Sequence, residues 1–204
     1  MLISENNIIK FSHDNLFKKA LENPMVAKNF FNIYLPANIK DMVDIEGLKL
    51  EKETHIEENL KESMSDVLFK TKFNDEEGYL YTLIEHQSKP DPLMAFRLFK
   101  YMISICNRHL SLNPGSKKLP IIYPILFYQG KRKYNVSRNL WGLFYKPDLA
   151  KEIWSNDYQL IDLQSIPDEV LKKDMWAGTL QFFMKHIFER NLLRVWEEIG
   201  DTLP

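Results

Sequence analysis

The chain has 204 residues, 45% hydrophobic and 13% aromatic, with a formal net charge of −1 and a single cysteine, Cys106. That composition excludes a disordered or uniformly basic polymer, an intramolecular disulfide framework and a cysteine-rich zinc site, and it suits one domain with or without a helical appendage. No apolar run reaches the roughly 20 residues of a membrane helix, and the amino-terminal MLISENNIIKFSHD has no basic segment followed by an apolar core, so the expectation is a cytoplasmic protein without a membrane partner.

Residues 12–35 predict a helix capped by Ser12 or Asp14, with Phe17, Leu21, Val26, Phe30 and Phe31 at helical spacing and a break at Asn23-Pro24. Residues 48–56 alternate as a first strand, and an acidic loop at 57–62 follows. Residues 65–88 read as two strands joined by the polar turn Asn74-Asp75-Glu76-Glu77-Gly78. Tyr79, Tyr81, Leu83, Glu85 and Gln87 then share one face, because strand side chains alternate with a period of two. Closure near Glu76 sets Asp66 opposite His86 and diagonal to Glu85. Two carboxylates, Asp66 and Glu85, converge there at the end of a mostly apolar sheet. Such a pair is costly unless solvated, hydrogen-bonded or bridged by a cation. The alternative is a pair of surface carboxylates matched to Lys70 and Lys89.

Lys89-Pro90-Asp91-Pro92 stops one element and starts a helix that runs to Leu110. Its apolar stripe is read as Leu93, Phe96, Phe99, Met102, Ile103, Cys106 and Leu110, with Arg97, Lys100 or Tyr101, Ser104 and Arg108 marking another, polar stripe. Residues 119–128, LPIIYPILFY, suit a strand buried on both faces, the pattern of a parallel crossover, while Pro120 and Pro124 argue for an edge or a strand-initial position. Residues 129–133 form an exposed basic loop, 158–163 a further short strand, and 167–199 a helical part. The expected division is a core over residues 1–165 and a helical extension over 166–204 packed on it.

The near-zero net charge conceals a division. Residues 92–147 contain no Asp or Glu and ten bases: Arg97, Lys100, Arg108, Lys117, Lys118, Lys131, Arg132, Lys133, Arg138 and Lys146. A phosphate backbone would suit that asymmetry; the plainer alternative is a solvated basic face balanced by the acidic segments around it.

The order helix, strand, hairpin, crossover helix, strand, with carboxylates on the hairpin, resembles the PD-(D/E)xK nuclease superfamily. More closely, the chain is similar to the Rpn family of recombination-promoting nucleases, the YhgA-like transposase group. The matching segments are His13-Asp14 with Leu16-Phe17-Lys18; residues 48–50; Ser65-Asp66-Val67-Leu68; Leu83-Ile84-Glu85-His86-Gln87-Ser88; Met94-Ala95-Phe96-Arg97; and Pro124-Ile125-Leu126-Phe127-Tyr128 with Gly130. They span nearly the whole chain in order.

The resemblance implies an α/β fold with an αβββαβ restriction-endonuclease-like core, a mixed central sheet flanked by helices, and a helical C-terminal part. It implies a metal-dependent DNA endonuclease linked to recombination and DNA transfer. Asp66 is then the motif aspartate, Glu85 the second motif acid, and Gln87 stands in the position where the wider superfamily has lysine. Mg²⁺, with Mn²⁺ or Ca²⁺ as substitutes, would be held by Asp66, Glu85 and the backbone carbonyl of His86. Asp14 and Tyr128 are accessory candidates. Arg97, Lys131, Arg132 and Lys133 would contact the DNA backbone. A homo-oligomer or a partner for a C-terminal region is also expected. The alternative function is a catalytically inactive DNA-binding or regulatory module that keeps the fold.

Overall fold

Asn74 and Asp75 adopt φ of 47° and 70°, the two left-handed positions that a two-residue hairpin turn requires and that these side chains tolerate. In this computed structural model, which describes residues 16–51, 67–85 (Glu85 as backbone only), 89–174, 176–188 and 197, they join strands β2 and β3. The turn therefore closes at Asn74-Asp75 and not near Glu76. Val67 pairs with Thr82, where closure near Glu76 would have paired it with Glu85. The cause is local: Asn-Asp supply both left-handed residues, so the turn needs no glycine and Gly78 enters the strand.

Gly78 is buried for a different reason. A Cβ at this position would lie 2.7 Å from the carbonyl oxygen of Ile121 and would run into the Phe73 ring. Gly78→Ala is expected to cost about 1–3 kcal/mol through overpacking, read as a lower urea midpoint with an unchanged far-ultraviolet spectrum.

Among the described residues the sheet has four strands in the order β1-β2-β3-β4. Strand β1 (Lys49–Leu50) runs antiparallel to β2 (Val67–Phe73), which is antiparallel to β3 (Glu76–Glu85). Strand β4 (Ile121–Tyr128) is parallel to β3, from Gly78↔Ile121 to Glu85↔Tyr128. Helices α1 (residues 16–22), α2 (Pro24–Tyr34) and α3 (Ala37–Lys40) precede the sheet, and helix α4 (Met94–Leu112) makes the crossover. This is the expected αβββαβ order. The break before α2 is a cap: Met25 N–H donates to Asn23 Oδ1 at 3.0 Å, and Pro24 occupies the first turn. Pro124 lies within β4, the edge strand of the described sheet, where its missing N–H is tolerated.

Period-two alternation sends the two sheet faces to different helices. Val67, Phe69, Phe73, Leu80 and Ile84 cluster with Leu21, Ala27, Phe30, Phe31 and Leu35 from the α1–α2 region. Leu68, Tyr79, Tyr81 and Leu83 cluster with Met94, Tyr101 and Ile105 of α4. The buried stripe of α4 is thus rotated from the one expected. Leu93, Phe96 and Ile103 are 59%, 46% and 45% exposed, whereas Met94, Tyr101, Ile105 and His109 are buried. Tyr101 and His109 have polar tips yet bring rings inward, against Tyr81 at 5.7 Å and Tyr79 at 6.3 Å. A hydrophobicity count scores such residues as outward.

The chain divides into two compact units, residues 1–150 and 151–204, with helix α5 (Pro147–Ser155) at the division. Residues 158–163 do not form the expected strand. Residues 157–162 have no ladder partner among the described residues, and Tyr158 is 84% exposed. Asp162 captures the backbone here: its Oδ1 accepts from Gln164 N–H at 3.0 Å and starts a single turn of tight helix over Leu163–Ser165.

Helices α6 (Asp168–Leu171) and α7 (Ala177–His186) replace the start of the single helical run; the rest of it, beyond Phe188, lies outside the described residues apart from Glu197. Asp174 makes the break, its Oδ1 accepting from the N–H groups of Trp176, Ala177 and Gly178 at 3.1, 2.7 and 3.2 Å. Among the described residues no helix is long and apolar enough to cross a membrane.

Leu171 and Phe182 form the small core of the second unit. Beside it, Asp168 takes Lys185 Nζ at 2.7 Å and His186 Nε2 at 3.1 Å. The Lys185 hydrogen bond, followed by that of His186, holds the Asp168 carboxyl below its ordinary value of 3.8. A depressed carboxylate stabilises the fold above its unfolded pKa, and the contribution is lost as pH falls through the folded one. Asp168→Asn should therefore lower the melting temperature at neutral pH, and the gap from wild type should shrink once the pH drops below 3.8.

Candidate functional site

A parallel pair joined by a crossover helix gathers the carboxyl ends of both strands and the amino end of the helix on one side of a sheet. Glu85 is the last residue of β3 and pairs with Tyr128, the last of β4. Met94 and Ala95, at the start of α4, line the same groove as Leu126 and Tyr128. Glu85, Tyr128 and the first turn of α4, which carries Arg97, are therefore brought to one end of the sheet. Asp14, Asp66, His86 and Gln87 lie outside the described residues. So does the side chain of Glu85.

The Tyr128 hydroxyl is buried without a hydrogen-bond partner among the described residues. Its ring meets Tyr134 edge-on, with centroids 5.2 Å apart at 69°. Gly130 passes so close beneath the ring that a Cβ there would clash with the Tyr128 hydroxyl and ring carbons. The pairing of Tyr128 with Gly130 in the sequence thus has a steric cause.

The expected phosphate-binding cations fall into two groups. Arg97 is engaged: its guanidinium lies 3.4 Å from Asp91 Oδ2, while Asp91 Oδ1 accepts from Leu93 N–H at 2.8 Å. Arg108 lies 3.5 Å from Glu51. Lys131, Arg132 and Lys133 are exposed in the loop after β4, with no ion-pair partner among the described residues. Lys100, Lys117, Lys118, Arg138 and Lys146 are likewise exposed.

Lys70 does not offer charge to this end of the sheet. It pairs with Glu77 at 2.5 Å, a contact that raises the Lys70 pKa and lowers that of Glu77. Its strand partner is Tyr79, six residues and about 20 Å along β3 from Glu85. Lys89 is exposed.

Among the described residues no group of three or more His, Cys, Asp or Glu side chains is placed to hold a metal. The Asp66, Glu85 and His86-carbonyl set therefore has no rival among them. Its chemistry is all oxygen, the donor type that Mg²⁺ and Ca²⁺ prefer.

Sequence reasoning did not find the groove on the β4 edge, about 630 Å³, where Tyr34 and Tyr134 join Tyr128 and Arg138. Arg138 within the acid-free stretch was the available signal.

The family model described as "Putative transposase, YhgA-like" matches residues 11–204. The chain belongs to this YhgA-like family. The mixed sheet, four-stranded among the described residues, and its helices are consistent with the PD-(D/E)xK-like fold of the Rpn family. Among curated members it is 37% identical over 188 residues to recombination-promoting nuclease RpnC of Escherichia coli (strain K12), covering 92% of this chain and 62% of that protein. It is 38% identical over 192 residues to recombination-promoting nuclease RpnA of the same strain, covering 94% and 65%. A third member, named inactive recombination-promoting nuclease-like protein RpnE, is 33% identical over 192 residues, covering 94% and 64%. The chain thus spans less than two thirds of the length of these YhgA-like relatives. No solved structure matches it.

Proposed function

We propose that this chain is a divalent-metal-dependent DNA endonuclease that hydrolyses phosphodiester bonds in recombination or DNA transfer, acting in the cytoplasm. The observation that carries this reading is the placement of Glu85 at the end of β3 beside the end of β4, in a family whose relatives are named recombination-promoting nucleases. Asp66 lies two positions before Leu68 in sequence and Glu85 two after Leu83, and Leu68 and Leu83 share the α4 side of the sheet.

Asp66, Glu85 and the His86 carbonyl would hold Mg²⁺, or Mn²⁺ or Ca²⁺ in its place. A bound divalent cation supplies charge neutralisation and a water of lowered pKa. Gln87 can neither take a proton nor offer a full positive charge; its amide holds the attacking water in line. Lys131, Arg132 and Lys133 grip phosphates and set the register of the strand without reading bases. Arg97 is oriented by Asp91 for the same task. Asp14 and Tyr128 complete the surround.

The test is a supercoiled plasmid incubated with the full chain. Nicking or linearisation with Mg²⁺ that stops in EDTA supports the reading. An intact plasmid with Mg²⁺, Mn²⁺ and Ca²⁺ in turn, together with salt-sensitive DNA binding, favours the second reading of an inactive DNA-binding module. The relative named inactive and the glutamine in the lysine position motivate that reading.

A further inference from the structure

We propose that the groove along the β4 edge of the described sheet binds single-stranded DNA, stacking unpaired bases on Tyr34 and Tyr134 while Arg138 meets the backbone. The inference rests on the nuclease reading only in its choice of DNA as ligand. The groove measures about 630 Å³, within the range of roughly 300–1,000 Å³ of sites that enclose small aromatic ligands.

Its two platforms are held in place. Tyr34, at the end of α2, is 61% exposed, yet its ring lies 4.9 Å from that of Phe30 in the core. Tyr134 is held edge-on against Tyr128. The Tyr34 ring, fixed at its back and open in front, stacks a base at little entropic cost, and Tyr134 lines the same groove.

Charge points the same way. Arg138 is exposed, no acidic side chain lines the groove among the described residues, and Lys131, Arg132 and Lys133 lie a few residues earlier in the chain. Duplex DNA hides its base faces in the stack, whereas an unpaired strand offers them. An extended peptide added to the β4 edge is the competing occupant. It is disfavoured by Pro124, which removes a ladder donor in mid-strand, and by the Arg138 cation at the groove, which a neutral peptide does not use.

The experiment is fluorescence anisotropy with the full chain in EDTA, using labelled oligo-dT and an abasic strand of equal length. Oligo-dT is expected to bind about tenfold or more tightly than the abasic strand. Tyr34→Ala should abolish that preference, Tyr34→Phe should keep it, and Arg138→Gln should weaken both strands alike.

Equal binding of the two strands by the wild type would overturn the proposal and leave the edge to a peptide or a second copy. A preference that survives in Tyr34→Ala would overturn the stacking assignment. Because no cleavage is needed, base preference without plasmid cutting supports this proposal while removing the nuclease reading. Cutting without base preference does the reverse.

Discussion

Asp66→Ala and Glu85→Ala are each expected to lower plasmid cleavage by at least about a hundredfold, the scale of losing one preorganised electrostatic partner of the reacting phosphate. Glu85 is the terminal residue of β3, held in register by its parallel pairing with Tyr128. Alanine keeps a backbone able to pair, so the far-ultraviolet spectrum and melting temperature should stay near those of the wild type.

Glu85→Gln keeps the shape and removes the charge; it should be nearly as inactive as Glu85→Ala if charge is what matters. Gln87→Ala should be milder, about tenfold, because it loses a water-orienting amide and no charge. Cleavage unchanged in both carboxylate variants would remove the site assignment, whatever the fold.

Phe31→Ala is expected to destabilise the first unit by about 3–5 kcal/mol, the cost of deleting a fully buried aromatic ring and leaving a cavity. Phe31 is 0% exposed, and its ring centroid lies 5.4 Å from that of Phe30 and 5.2 Å from that of Phe69. It therefore couples α2 to β2. Urea denaturation followed by far-ultraviolet circular dichroism would show the midpoint falling steeply. The companion variant is Phe96→Ala on α4, at a position 46% exposed. It should cost no more than about 1 kcal/mol, since partly exposed side chains give up little burial. Comparable losses in the two variants would mean that α4 packs through the Phe96 stripe after all.

Much of this fold is legible in the sequence, and the misreadings have identifiable physics. The crossover to β4 is legible because LPIIYPILFY is apolar throughout and bounded by turn residues, and its edge position because of Pro124. The hairpin is legible, but its register is not. Four polar residues and a glycine were available for the turn, and it formed at Asn74 and Asp75, adjacent residues that both tolerate left-handed backbone. The face of α4 was misread because Tyr101 and His109 bury rings that carry polar tips. Residues 158–163 carry a strand pattern, but the Asp162 cap intervenes and no neighbouring strand is described for them.

The candidate site was legible in a different way. The carboxylates stand out because a charged pair on an apolar hairpin needs a reason. The resemblance of the surrounding segments supplied the reaction, which no spacing rule gives. Tyr34 could not be linked to Arg138 from the sequence, since only the close packing of α2 beside β4 makes them neighbours. Lys70 illustrates the converse. It is close in sequence to Asp66, yet its side chain is committed to Glu77 toward the other end of β3.

The most direct measurement is electron paramagnetic resonance of Mn²⁺ titrated into the full chain, wild type against the Asp66→Ala, Glu85→Ala double variant. A bound-Mn²⁺ signal that saturates in the wild type, is displaced by Mg²⁺ and is lost in the double variant is the predicted result. The same bound signal in the double variant, or none in the wild type, would contradict a metal site at the end of β3.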